Sequence, residues 1–397
     1  MLKRFRKFKT SLKYLDLGII CCFLILSTIG IVMVYSASMV SASKGALTGG
    51  IPIQANFFMK RQFVFAMFGF LLIIFMSIYF NINALKKRNT QKFIVFGTLF
   101  LLLLTQLIGK DVNGSKNWVN VGIFNLQSSE FLKLAAIFYL AFIIDRLLKI
   151  NKNYKLKNLI PPLGLLGVGL VCVLMQGDLG GTLLTVGIIA SILIYSDIKN
   201  KIKLQILSIT AIPTIIYIFY TLVFDANTLY RMKRIKVLFD PFKYENGDGY
   251  QLTNALLSIS NGGISGRGLG NGILKLGYLP EPHTDFIFTV IAEELGLVGI
   301  ILVLLLYAII IYKGFYYANK TTNHFYKLIC IGVMSYLFMQ IFINTGGVSG
   351  LIPLTGITLP LLSYGGSSML SVSIALGSML AVIREIKKDS EINHKNI

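Results

Sequence analysis

Residues 286–312 read FIFTVIAEELGLVGIILVLLLYAIIIY, an apolar run that, at about 1.5 Å of helical rise per residue, is long enough to cross a bilayer. Immediately before it, residues 277–285 read GYLPEPHTD and close the long polar loop 225–283. Asp285 is therefore a lone carboxylate at the point where a loop passes into a membrane-crossing helix. Half desolvated at the membrane surface, it suits either of two roles. It can cap the helix, or it can act as a general base, because desolvation raises a carboxylate's affinity for a proton.

Apolar runs of spanning length recur near residues 15–36, 60–80, 92–109, 128–149, 159–176, 181–196, 204–224, 284–312, 325–346 and 358–383. The 397-residue chain is 55% hydrophobic and only 14% charged, with a mean hydropathy of +0.71. That balance excludes an ordinary soluble domain and gives an all-α polytopic membrane protein of about ten transmembrane helices. The large extracytoplasmic loop falls between helices 7 and 8. An even number of crossings puts both termini on one side.

Lys and Arg in the short loops set the orientation. One side carries Lys3, Arg4, Arg6, Lys7, Lys9 and Lys13, then Lys86, Lys87 and Arg88, then Lys149, Lys152, Lys155 and Lys157, then Lys199, Lys201 and Lys203, and finally Arg384, Lys387 and Lys388. The other side's short loops carry Lys44, Lys60, Arg61, Lys110 and Lys116. Both termini are thus expected in the cytoplasm. The chain reads as one integral membrane domain, 1–397, with a basic N-terminus 1–14, the outer loop 225–283 and a cytoplasmic tail 386–397. The net charge of +21 is mostly this bias, so no nucleic-acid partner follows from it. The first helix reads as its own signal-anchor rather than a cleaved leader. Cys21, Cys22, Cys172 and Cys330 all fall inside predicted helices without zinc spacing, so neither disulfides nor a cysteine-built metal site are expected. The scattered His283, His324 and His394 do not suggest a histidine-built site either.

Isolated polar groups in such a chain are candidates for function or pairing. Glu130 and Lys133, three residues apart, share a helix face, either as an ion pair or with the ammonium held for an anionic headgroup. Trp118, the only tryptophan, is either an interfacial anchor or a platform for a sugar ring. Asp178, in the glycine-rich turn QGDLGG, either caps the next helix or lines a cavity. The cluster Arg231, Lys233, Arg234 and Lys236 is either a phosphate-binding patch or a solvated helix face. The stretch 262–272 with Arg267, followed by Lys275, is either a phosphate cradle or a flexible hairpin. Glu293 and Glu294 lie roughly 12–13.5 Å along the helix from Asp285, too far for a paired-carboxylate hydrolase. They are expected to pair with basic groups on neighbouring helices.

The segments GRGLGNGILKLGYLPEPHTDFIFTVIAEELG at 266–296 and GLIPLTGITLPLLSYGGSS at 350–368 resemble the SEDS family of cell-wall polymerases. Weaker matches are LQSSEFLKLA at 126–135, QGDLGG at 176–181, and RIKVLFDPF with GDGYQ in the large loop; together the resemblance covers nearly the whole chain. The chain departs from the family at Ser128 and Gly177, where proline is common, and at Asn117, where an arginine often precedes the tryptophan. The resemblance implies a peptidoglycan glycosyltransferase that joins lipid II units on the outer face and releases undecaprenyl pyrophosphate. It makes Asp285 the essential carboxylate, deprotonating the acceptor hydroxyl or holding a cation, with Mg2+ or Mn2+ as the cation class. Metal ligands remain unassigned. Lys116, Trp118, Glu130, Lys133, Asp178, Arg231, Arg234, Arg267, Lys275, His283 and Ser367 become substrate-binding candidates. The implied partners are a class B penicillin-binding protein transpeptidase and other division proteins.

VMVYSASM at the end of the first helix, GALTGG in the first loop and the KDVNGSKNW segment favour the division branch of the family over the elongation branch. Two alternatives belong to other classes: a lipid II flippase and a non-catalytic division scaffold. A transporter should show repeated interrupted helices and a midplane site. The chain has no convincing internal repeat, and its polar candidates collect at the outer end.

Overall fold

A computed structural model describes residues 13–45, 50–112, 115–120, 122, 125–150, 155–209 and 236–395. Its long helices are α1 (Leu17–Ser43), α2 (Phe57–Tyr79), α3 (Arg88–Ile108), α4 (Ser128–Ile150), α5 (Ile160–Met175) and α6 (Leu179–Tyr195), followed by α7 (Tyr250–Gly262), α8 (Ile287–Lys320), α9 (His324–Val348) and α10 (Gly366–Lys395). Six of them, α1, α2, α3, α8, α9 and α10, are long and apolar enough to cross a membrane. α5 and α6 are apolar but shorter. α4 carries Glu130, Lys133, Asp145, Arg146 and Lys149 along an otherwise apolar helix. Only the start of the predicted span 204–224 is described, and it is helical through residue 209. All four cysteines are free.

Local signals place several helix ends. Asp16 caps α1 by accepting the Ile19 N–H at 3.3 Å, and Asn323 caps α9 by accepting that of Phe325 at 3.1 Å. α9 runs through the middle of the bundle with few exposed side chains, and α10 packs closely on α2.

Two features depart from the expectation of membrane-crossing helices joined by loops. Between α3 and α4, strands β1 (Lys110–Val112), β2 (Ser115–Asn120) and β3 (Asn125–Gln127) form an antiparallel sheet in the order β1-β2-β3, with Trp118 opposite Gln127. These strands are too short for a period-two pattern to reveal them. The second departure is that the loop expected at 225–283 contains α7, which packs along the first turns of α8. The close approach requires Gly262, where a Cβ would collide with the Ala292 carbonyl oxygen.

α8 is two helices joined at a break. Gly296 takes φ 66° and ψ −164°, a conformation open essentially to glycine alone. The break removes the helical partners of four backbone groups, the carbonyls of Glu293 and Glu294 and the N–H groups of Leu297 and Val298. The glycine-rich stretch supplies all four replacements. Arg267 N–H donates to Glu293 O at 2.9 Å and Gly268 N–H to Glu294 O at 3.0 Å, while Leu297 and Val298 donate to Gly263 O and Ile264 O at 3.0 and 3.3 Å. Beyond the break, Leu297, Val298, Ile301, Leu302, Leu305 and Tyr312 are exposed, whereas residues 287–294 are all buried. The second half of α8 is therefore the bilayer-facing part and the first half belongs to the protein interior.

The two glutamates secure the inserted loop. Glu293 accepts the N–H groups of Ile273 and Leu274 and the Ser258 hydroxyl at 3.0, 3.3 and 3.3 Å. Glu294 pairs with the Lys275 ammonium at 2.5 Å and also accepts the Ser36 hydroxyl of α1 and the Gly270 N–H. Lys275 donates further to Ser36 Oγ and Gly270 O, and its side chain is 1% exposed. The ammonium expected to reach a phosphate is thus spent inside the fold. Removing one member of such a pair leaves an uncompensated buried charge, at a cost of about 3–5 kcal/mol. Thermal unfolding of Lys275→Met should show a loss of that order, and adding Glu294→Gln should restore most of it. An unchanged unfolding temperature for the single variant would mean that Lys275 is solvated after all.

Candidate active site

Asp285 lies at one end of the bundle, half-buried, on the turn 280–286 that leads into α8. The N-cap of α8 is Phe286 and no side chain closes it, so the capping role open to Asp285 is not realised. Asp178, by contrast, does cap its helix: it accepts the Gly181 N–H of α6 at 2.7 Å and the Ser129 hydroxyl at 2.8 Å. Burial pushes the Asp285 carboxyl up to about 7, and the nearby Glu281 carboxylate adds to the shift. Near neutral pH this group can both accept and release a proton.

The turn is held against a second non-helical segment, 350–365, which folds back into the bundle between α9 and α10. Three amide side chains support it. Gln62 of α2 donates to Ser363 O at 3.1 Å, Gln340 of α9 to Thr358 O at 3.0 Å, and Asn344 of α9 to Ile357 O at 2.7 Å. Asn344 also donates to the main-chain oxygen of Asp285 at 2.9 Å, so one amide holds both segments. Tyr364 N–H donates to His283 O at 2.8 Å, and the Tyr307 hydroxyl of α8 donates to Pro360 O. A Cβ on Gly356 would lie 3.4 Å from Asp285 Oδ2, so this glycine passes directly beside the carboxylate. Both segments contain a non-glycine residue in the left-handed region, Glu281 at φ 50° and Leu361 at φ 66°. Such strain persists only where the surroundings impose it.

The other sequence-derived candidates fall into distinct groups. Glu130 and Lys133 form a buried pair at 2.5 Å, and Glu130 also accepts the hydroxyls of Tyr336 and Ser371 at 2.7 Å each. Lys133 faces the Tyr336 ring at 4.8 Å, so the pair joins α4 to α9 and α10. The Ser367 hydroxyl accepts the Gln127 N–H and donates to Asn125 O, both at 2.9 Å. It pins β3 to α10 instead of facing a ligand. His283 is 3% exposed, packed between the rings of Phe58 and Tyr364 at 4.5 and 5.5 Å. Burial lowers its imidazole to about 4, so it is neutral at physiological pH, and its Nδ1 lacks a partner. Lys116 and Arg267 are exposed and Trp118 is half-buried. Arg231 and Arg234 lie outside the described residues.

The sheet reaches the Asp285 turn through a chain of contacts. Lys116 N–H donates to Gln176 O at 3.1 Å, and Gln176 belongs to the turn that Asp178 closes. A Cβ on Gly180 would lie 3.1 Å from Ile357 and 3.2 Å from Thr355, next to Gly356 and Asp285. Sequence reading missed Glu281 and the supporting amides. It also treated Arg61 only as a loop charge. Arg61 is exposed, lies 4.4 Å over the Phe57 ring and hydrogen-bonds Tyr364, whose backbone holds the Asp285 turn. Beside the turn, a cleft of about 400 Å³ opens between the start of α7, Pro280 and Pro353. Among the described residues no three His, Cys, Asp or Glu side chains converge. The described residues therefore form no all-protein cage of the kind that holds a divalent cation without substrate.

Residues 16–388 match the sequence profile of the FtsW, RodA and SpoVE cell cycle proteins. The probable peptidoglycan glycosyltransferase FtsW of Bacillus subtilis (strain 168) is 38% identical over 98% of this chain and 94% of its own length. Stage V sporulation protein E of the same organism is 36% identical over 93% of this chain and 97% of its own length. Among solved structures, a chain of a peptidoglycan synthase complex, described as coordinating polymerization and crosslinking, superposes with a TM-score of 0.74 at 24% identity. That match covers 94% of this chain and 99% of the other. The rod shape determining protein RodA of Thermus thermophilus gives 0.65 at 24% identity, covering 94% and 97%. With its helical bundle, the turn carrying Asp285 and a match along nearly its full length, this chain belongs to the FtsW, RodA and SpoVE family of cell cycle proteins.

Proposed function

We propose that this chain is a peptidoglycan glycosyltransferase that polymerises lipid II, with Asp285 as the general base. The observation that carries the reading is a half-desolvated carboxylate on a strained, braced turn, its proton affinity raised by burial to about 7. The near full-length likeness to relatives named as peptidoglycan glycosyltransferases supports it. As the acceptor hydroxyl attacks the anomeric carbon of the donor, its proton passes to Asp285. The bond from that carbon to the diphosphate breaks, and its electron pair leaves with undecaprenyl pyrophosphate. A base whose proton affinity lies near the working pH is suited to this transfer.

A pyrophosphate leaving group needs cations more than it needs an acid. We assign that role to the exposed Lys116, Arg61 and Arg267, with Arg231 and Arg234 of the loop as further candidates. Trp118 and the cleft beside Pro280 are where we seat sugar rings; the cleft is within the size range of small-ligand sites. We read ten crossings from the ten apolar runs, and both termini in the cytoplasm with the Asp285 end outside from the bias of Lys and Arg between the loops. We read the product as septal rather than elongation wall, on the strength of the VMVYSASM, GALTGG and KDVNGSKNW segments. The likeness to a synthase complex favours a crosslinking partner, a class B penicillin-binding protein transpeptidase.

Asp285→Asn should abolish strand formation from lipid II by the purified protein. It should not destabilise the fold. A carboxyl raised by the fold contributes stability that is present at low pH and is lost as pH rises through about 7. At about pH 8 the Asn variant should therefore unfold at the parent temperature or above it. Polymerisation at the parent rate would refute the assignment. Loss of activity together with a lowered unfolding temperature at that pH would reduce Asp285 to a structural residue.

A further inference from the structure

The turn that carries Asp285 holds a second carboxylate. Glu281 occupies the left-handed region at φ 50°, which a glycine would adopt without steric cost. Its position is nevertheless fixed. The Thr284 hydroxyl reaches both the Glu281 carbonyl at 3.0 Å and its carboxylate at 3.4 Å, and Thr284 N–H donates to the same carbonyl at 3.1 Å. His283 Nε2 stands 3.8 Å from the carboxylate on the other side, and that ring is buried and neutral. The Glu281 carboxylate, four residues before Asp285, is thus held over the turn by Thr284, the residue next to Asp285, with no cation within ion-pair distance among the described residues. About half of its side chain faces solvent; burial of the rest raises the Glu281 carboxyl, and the Thr284 hydroxyl acts against that rise by favouring the charged form.

We infer that Glu281 is a positioning residue of the proposed polymerisation site, placing a fixed like charge beside Asp285 and so making Asp285 the stronger proton acceptor. The inference rests on the reading of Asp285 as the base. The direction of the Asp285 shift agrees with it, since the Glu281 charge adds to the effect of burial. The other groups packed around the turn do not supply this effect. His283 is neutral, the 350–365 segment offers Tyr364 with its hydrogen bond to Arg61, and α9 offers only the uncharged Asn344. Asp178 lies beyond Gly180 and Ile357, and its carboxylate is occupied by the α6 N-terminus and Ser129. A like charge at short range disfavours ionisation.

The test uses the full-length protein in lipid vesicles, with two readouts. Infrared difference spectra follow the protonated Asp285 carboxyl across pH, assigned by the band lost in Asp285→Asn. The rate of strand formation from lipid II is followed over the same range. In Glu281→Gln the Asp285 midpoint should fall by on the order of one pH unit, and the rate profile should move with it. Glu281→Asp keeps the charge and tolerates the left-handed backbone, so it should titrate with the parent. Thr284→Val, which frees the Glu281 carboxylate, should give a smaller downward shift and covers the case in which the Gln variant does not fold. An unmoved infrared midpoint in Glu281→Gln overturns the proposal, as does an Asp variant that shifts as far as the Gln variant. Parent-rate polymerisation by Asp285→Asn would instead overturn the functional reading, and the infrared midpoints would still decide the coupling.

Discussion

Backbone polar groups that leave a helix inside an apolar bundle must find partners in the protein, because lipid offers none. Two segments of this chain do leave their helices there. The stretch 263–276 fills the break at Gly296, where the four orphaned groups of α8 each meet a backbone partner and two buried glutamates take the N–H groups of Gly270, Ile273 and Leu274. The stretch 350–365 is supported by Gln62, Gln340 and Asn344. Everything at the Asp285 end depends on these two satisfied irregularities.

Their placement also explains why a carboxylate can be kept basic there. α8 before Gly296 is enclosed by α7 and the inserted loop, so the turn at its start is fixed to the protein interior rather than to the lipid-facing half of the helix. Asn344 ties the main chain of Asp285 to Ile357, and Gly356 leaves room beside the carboxylate. Desolvation by these walls, with Glu281 nearby, holds the proton affinity of Asp285 near neutrality. Buried ion pairs elsewhere, Glu130 with Lys133 and Glu294 with Lys275, join elements distant in sequence through Tyr336, Ser371 and Ser36.

The helices were legible because spanning length and composition leave few alternatives for runs such as 17–43 or 324–348. Asp285 was legible as an isolated carboxylate at a helix start, although its capping alternative fell only when Phe286 proved to be the N-cap. Lys275 was misread because nothing in a one-dimensional charge count pairs it with Glu294, nineteen positions later. Gln62, Gln340 and Asn344 passed unnoticed because a search for ionisable groups skips neutral amides, although a polar side chain in an apolar span carries a related signal. The sheet was hidden because its outer strands have three residues each, and cross-strand pairing rather than pattern defines them.

What links these elements is the claim that the fold exists to hold one carboxylate at a proton affinity matched to its chemistry. The most direct measurement is the initial rate of glycan-strand formation from lipid II by the purified protein, taken from about pH 5 to about pH 9. The rate should rise with pH to half its maximum near the Asp285 midpoint of about 7 and then level off. A rate already at its plateau at about pH 5, in the ordinary carboxylate range, would contradict the account.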